Sequence, residues 1–263
     1  GLVGSEMCIR DSDDSVVIIE AKNVVHRDFH IRQLYYPYRL WKEKVKKPIR
    51  LVFSVYSNMI YRLFEYRFDE IEDYSSISLV KSKNYSLQDT TITQEDLLNV
   101  RRDTEITEND DKDKRKVSFP QANVMEKVIS LMENLYHNPM TKQQIAELMN
   151  FDERQSDYYY NAGCYLELFQ KAENNDRELT RLGERVFKMN YKERQLHIVS
   201  LILKHKIFAD FFDSIINTGS LPNKKEIEER MIALNICNNC DTLSRRANSV
   251  LGWLKWIFNL TNI

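Results

Sequence analysis

Apolar positions along the chain follow two regimes, short β-branched blocks first and a three-to-four-residue repeat later. After a turn-like Asp13-Asp14-Ser15, the block Val16-Val17-Ile18-Ile19 predicts a strand that runs on through Glu20-Ala21-Lys22 to Asn23. Consecutive apolar residues of this kind imply burial on both faces. Residues 28–44 then place Phe29, Leu34, Tyr35, Tyr38 and Trp41 at helical spacing, interrupted by Pro37. Ile49–Tyr56 and Ile60–Phe68 read as two strands joined at Ser57-Asn58, with Ile77–Tyr85 a weaker third. The order strand, helix, strand, strand predicts an α/β core over residues 13–90.

Polar character then takes over. Arg101 to Lys116 has hardly an apolar side chain, which predicts a charged linker over 91–118. Beyond Phe119-Pro120 the pattern turns helical, with Val124, Met125, Val128, Ile129, Met132 and Leu135 forming one stripe over 122–136. Thr141 followed by Gln144 is a capping-box pattern opening a short helix to Met149, and Asp152 caps a third helix, Glu153 to Leu166. Phe169–Glu173 and Arg177–Thr180 flank Asn174-Asn175-Asp176 as a hairpin. Helix, helix, helix, two-stranded wing is the winged-helix order, placed at 119–190. Helical stretches near 191–217, 223–235 and 241–260 form a C-terminal extension, in which Trp253 and Trp256 read as a packing stripe.

Composition constrains the chemistry only loosely. The 263 residues are 43% hydrophobic and 29% charged, enough for two modest domains. Formal net charge is −1, so any nucleic-acid contact must come from local patches of Lys and Arg. The four cysteines (8, 164, 237 and 240) lack the density of a disulfide scaffold, and the single Cys237/Cys240 pair lacks the partners of a zinc site. Reduced thiols, no secretory signal and no apolar run of ~18 residues lead to the expectation of a cytoplasmic protein. Residues 1–12 fit nothing that follows. Met7 to Ser12 is what the transposon end of a sequencing library encodes in frame, so these residues are expected to be an artefact. Genuine sequence would then begin near Asp13, with its true start missing.

Candidate chemistry sits at the end of the first strand. Alternation puts Glu20 and Lys22 on one face and Ala21 on the other. A carboxylate and an ammonium so placed suit metal-assisted phosphodiester hydrolysis. The acid shares a divalent cation with a second acid, and the amine positions water or stabilises developing charge. A bare match of this kind also occurs on ordinary exposed strands; the apolar block before it is what singles this one out.

IIEAK followed by a helix carrying QLYYPY and then paired strands resembles the PD-(D/E)XK nuclease superfamily. More narrowly it resembles predicted type II restriction enzymes that join this core to a C-terminal winged helix. FPQANVMEKVISLMENLYHNPMTKQQIAELMNFDERQSDYYYNAGCYLELF and SRRANSVLGWLKWI carry the closest likeness. The resemblance implies a site-specific, Mg²⁺-dependent DNA endonuclease. Glu20 would be its acidic metal ligand, Lys22 its lysine, and Gln33 the glutamine of the following helix. A polar residue capping or packing beside the strand suits Gln33 equally well. The pattern departs in one respect: the superfamily's first aspartate lies on the preceding strand, whereas Asp13 and Asp14 sit too close to Glu20 and look like a turn. That aspartate is expected to have been lost with the true start. The chain as given is therefore expected to be inactive and its full-length parent to cut DNA.

In the winged-helix segment, Tyr159, Ala162, Gly163 and Leu166 should face inward, leaving Arg154, Gln155, Tyr158 and Asn161 to read base edges. Lys142, Gln143, Lys171 and Arg177 are candidates for phosphate contacts. Winged helices also bind protein alone, and Asp152, Glu153 and Asp157 dilute the positive patch. The expected partners are double-stranded DNA, a second copy of the chain, and a cognate DNA methyltransferase encoded nearby. The competing class is a non-catalytic winged-helix DNA-binding or regulatory protein.

Overall fold

A computed structural model describes residues 5–11, 15–23, 31–107, 118–150, 152–237 and 240–262, with backbone only at 5–11, 240, 241 and 262. Two compact units result: one holds the described residues up to Leu87 with Leu148–Asn150, the other holds the rest. The chain is a mixed α/β sheet unit followed by a helical unit.

The first unit is a five-stranded sheet in chain order: β1 (Ser5–Asp11), β2 (Val16–Lys22), β3 (Ile49–Ser57), β4 (Ile60–Phe68) and β5 (Ile77–Ser86). Only β2 and β3 are parallel, and a parallel pair needs a crossover, which α1 (Arg32–Lys44) supplies. Helix α1 runs through Pro37 rather than stopping there. It buries Leu34 and Tyr35 against Ile18, Leu51, Phe53, Val55 and Phe68. Each such side chain withdrawn from water contributes roughly 1.5–3 kcal/mol. The Tyr35 ring meets Phe68 edge-on and its hydroxyl donates to the Ile71 carbonyl at 3.0 Å.

Burial along β2 alternates, Val16, Ile18 and Glu20 buried and Val17 and Ile19 only half-buried, which corrects the expectation of two buried faces. The β-branched block is apolar on both faces, but the packed layer built on α1 lies on one. Ser5–Asp11, expected to be an artefact, pairs antiparallel with β2. An open sheet edge templates any β-competent segment, so this pairing follows from the edge whatever the segment's origin.

The second unit contains α2 (Gln94–Asp103), α3 (Met125–His137), α4 (Lys142–Met149) apart from its last two residues, α5 (Glu153–Tyr165), the hairpin β6 (Phe169–Lys171) and β7 (Arg177–Leu179), then α6 (Arg181–Lys188), α7 (Tyr191–Leu203), α8 (Lys206–Thr218), α9 (Lys224–Ala233) and α10 (Cys240–Asn259). Capping explains several starts. Thr141 and Gln144 bond reciprocally ahead of α4, and the Asp152 carboxylate accepts from the Gln155 N–H at 2.7 Å ahead of α5.

Three expectations change here. Within the supposed linker 91–118, residues 94–103 form α2, opened by a Thr93/Asp96 capping box. Leu97 is fully buried, and Arg101 makes a two-pronged pair with Asp213 of α8 at 2.9 and 2.8 Å. Residues 108–117 lie outside the described residues. The single stretch near 191–217 is two helices, broken where His205 starts α8 and Lys204 accepts from the Thr107 N–H at 2.8 Å. Helix α6, too short and too charged to stand out, was not foreseen. Trp253 and Trp256 are both buried, and the Trp253 indole donates to the Ala122 carbonyl at 2.8 Å. Among the described residues no helix is long and apolar enough to cross a membrane.

Candidate functional site

At the end of β2, alternation places Glu20 and Lys22 on the face that carries Val16 and Ile18, the face α1 covers. Lys22 Nζ lies 3.2 Å from Glu20 Oε1, with the two side chains 14% and 4% exposed. Acid and amine therefore stand side by side at the margin of an apolar core. Because α1 links two parallel strands it runs back against them, and its first turn lies at the end of the sheet where β2 finishes. Gln33 occupies that turn, and its Oε1 is buried with no hydrogen-bond partner among the described residues. An orphaned buried acceptor costs about 1–3 kcal/mol and needs a reason.

Register adds groups that sequence reasoning missed. Lys22 pairs with Val55 and Val55 with Arg62, so Lys22 and Arg62 flank Val55 in one cross-strand row on the same face. Arg62 Nη1 donates to the Ser57 carbonyl at 3.3 Å, and Ser57 and Asn58 are both buried. The signal was present. Asn58 and Met59 form a two-residue hairpin turn with φ of 54° and 59°, and counting inward from it puts Arg62 opposite Val55.

Magnesium asks for several oxygens in near-octahedral array. Glu20 is the acidic side chain that the end of β2 supplies, and it already lies against Lys22. Among the described residues no group of three or more His, Cys, Asp or Glu side chains could hold a metal ion. The described residues do not by themselves make a magnesium site. Asp13 and Asp14 lie outside the described residues.

Helix α5 offers a second surface. Tyr159, Ala162, Gly163 and Leu166 are buried, as their spacing predicts, while Arg154 and Gln155 are exposed and Tyr158 and Asn161 half-buried. Burial pushes the Tyr159 hydroxyl up to about 12. Gly163 is required by packing: a Cβ there would fall 1.9 Å from the Phe169 ring of β6. The Arg154 guanidinium lies 5.7 Å from the Tyr158 ring, and Arg245 of α10 donates to the Tyr158 hydroxyl at 3.4 Å. Arg245 thus joins a cluster the sequence did not assign to α5.

Four phosphate candidates separate into two kinds. Gln143 and Lys171 are exposed. Lys142 and Arg177 instead converge on Asp157, at 2.7 and 3.5 Å, and Arg177 also lies 5.5 Å from the Tyr160 ring. Hydrogen bonding to Asp157 raises the Lys142 ammonium above its ordinary value. Met140 and Arg177 exchange backbone hydrogen bonds of 2.9 and 2.8 Å, tying the segment before α4 to β7.

Comparison with known proteins yields two family matches. A family described as Domain of unknown function (DUF7226) matches residues 127–262, and another, Domain of unknown function (DUF6997), matches residues 8–86. No curated protein and no solved structure matches the chain significantly.

Proposed function

Since this chain belongs to a family described only as a domain of unknown function, DUF7226, its chemistry has to be argued from its side chains, and we propose that it is a DNA-directed protein of the PD-(D/E)XK restriction-endonuclease type. The observation that carries this reading is the Glu20–Lys22 pair, 3.2 Å apart and almost wholly buried at the end of a strand. A buried ion pair is a poor stabiliser, because desolvating both charges offsets most of their attraction. Keeping one at the margin of an apolar core suits a site that handles a phosphodiester better than it suits packing.

In this reading Lys22 and Arg62 hold the phosphate from two sides of Val55, and Gln33 donates its amide from α1. Glu20 keeps Lys22 oriented. A complete site of this type would hydrolyse double-stranded DNA at specific sites, with magnesium supplying Lewis-acid polarisation of the phosphate; the described residues hold the phosphate without completing the metal site. Helices α3 to α5 with the β6–β7 hairpin follow winged-helix order, and the Met140–Arg177 bridge extends the hairpin as a third strand would. Helix α5 then presents Arg154, Gln155, Tyr158 and Asn161 to the major groove, with Gln143, Lys171 and Arg245 on phosphates. Cutting both strands calls for two copies of the chain.

A second reading, a winged-helix DNA-binding regulator without catalysis, is favoured by the absence of a metal-holding cluster among the described residues, and one assay separates the two. Met7 is the backbone partner of Glu20 across β1 and β2. Met7→Asp therefore introduces an acidic residue at the register position of Glu20. Supercoiled plasmid incubated with MgCl2 should stay intact with the unaltered chain, be nicked by Met7→Asp, and stay intact with Met7→Asp/Lys22→Met. A folded Met7→Asp protein that neither binds Mg²⁺ in calorimetry nor nicks the plasmid would overturn the nuclease reading.

A further inference from the structure

The sheet's other face carries a feature with no part in this chemistry. Tyr56, Tyr61 and Tyr85 are register partners across β3, β4 and β5, so the three rings stand in one row perpendicular to the strands. Tyr56 and Tyr61 lie with ring centroids 4.5 Å apart, tilted by 37°. The three are 40%, 39% and 50% exposed. The next rows along the same face set Lys83 beside Leu63, then Lys81 beside Glu65, with Arg50 also joined to Glu65. Arg50 and Lys81 engage the Glu65 carboxylate and Lys83 stands one row nearer the tyrosines, so three cations to one described carboxylate leave the face cationic next to its aromatic row.

We propose that this face binds single-stranded nucleic acid, with bases stacking on the tyrosine row and the backbone passing over Lys83 and Lys81. Cross-strand pairing alone gives a tyrosine pair a modest return, about 0.2–1 kcal/mol. It does not account for a third ring in the same row, half in water on the sheet's outer strand. Exposed rings beside lysines on an open sheet are what strand-tolerant recognition requires: a π-face for any base and positive charge for the phosphates. Strands spaced ~4.8 Å apart spread the three rings over about 10 Å, room for neighbouring unpaired bases but not for those stacked inside a duplex. A protein strand or a second copy would be drawn by an apolar face, and the two lysines weigh against it. The inference is independent of Glu20 and Lys22, which occupy the opposite face.

Fluorescence anisotropy of the full chain with fluorescein-labelled dT20, alongside a labelled 20-base-pair duplex, tests it. Tyr61→Ala and Tyr85→Ala should each weaken dT20 binding about tenfold or more, as expected for loss of one stacked base. Tyr61→Phe and Tyr85→Phe keep the ring and should bind as the unaltered chain does. Duplex binding through α5 should not change in any of these variants. Unaltered dT20 affinity in the folded Tyr61→Ala/Tyr85→Ala protein overturns the proposal. So does an equal loss for dT20 and duplex, which would mean general charge attraction. Sedimentation showing self-association that these variants abolish, with no dT20 binding, overturns it in favour of a second copy. Failure of duplex binding alone counts against the reading of α5 and leaves this result standing.

Discussion

Arg50 grips Glu65 through two hydrogen bonds of 2.7 and 2.9 Å, and Lys81 adds a contact at 3.0 Å. The hydrogen bond from Arg50 is the main reason that the Glu65 carboxyl is held at about 2; burial pushes it the other way and Lys81 assists Arg50. A carboxylate depressed in the folded state contributes stability above its unfolded value, lost as pH falls through the folded one. Thermal unfolding of the chain and of Glu65→Gln should therefore differ at pH 7, and the gap should close between about pH 4.5 and 2. A gap that stays constant across that window would show that Glu65 titrates as if unpaired. At this scale the sequence was legible where chemistry follows local period. Glu20 and Lys22 share a face because residues two apart on a strand must. Arg62 and the tyrosine row went unread because the Asn58-Met59 turn sets only the β3–β4 register, and joining them to Lys22 on β2 and Tyr85 on β5 takes the pairing of further strands. The grip of Asp157 on Lys142 and Arg177 was hidden for a similar reason, since those residues come from three separate elements.

Strands β2 to β4 and the helices opened by Thr141 and Asp152 were legible as elements, because β-branched blocks and side-chain caps act on their nearest neighbours. Helix α2 was not. Its ten residues carry a narrow apolar stripe centred on Leu97 inside a highly charged stretch, and composition outweighed periodicity. The same kind of local charge decides what α5 can do. Asp157 sits on that helix between Lys142 and Arg177 and neutralises both, which on the proposed reading of α5 keeps them from phosphates. Asp157→Asn removes the competing charge while keeping the side chain's size. Duplex affinity in low salt should rise several-fold, and the slope of log affinity against log salt should steepen by roughly one to two phosphate contacts. Arg154→Ala should act oppositely, weakening binding. If Asp157→Asn leaves both affinity and slope unchanged, Lys142 and Arg177 do not face DNA.

For the whole molecule the question is where the second unit begins. Charge composition places the boundary at 118, whereas the compact unit starts at Gln88. The difference is physical. Residues 88–107 bring Ile92 and Leu97 into the core, pair Asp96 with Lys192 at 2.8 Å and Arg101 with Asp213, and set the Gln88 side chain on the Tyr191 N–H at 2.8 Å. Removing this stretch exposes what two buried aliphatic side chains covered, a loss of roughly 3–6 kcal/mol before the ion pairs are considered. The chain 88–263 should accordingly unfold in one cooperative transition, and the chain 119–263 should melt lower by about 10 °C or more. Equal melting temperatures would mean that α2 rests on the unit without stabilising it, and the boundary read from composition would then be the right one. The comparison also bears on the proposed function, because α2 packs chiefly against α7. On the proposed reading of α5, duplex binding by 119–263, measured well below its melting point, should match that of 88–263.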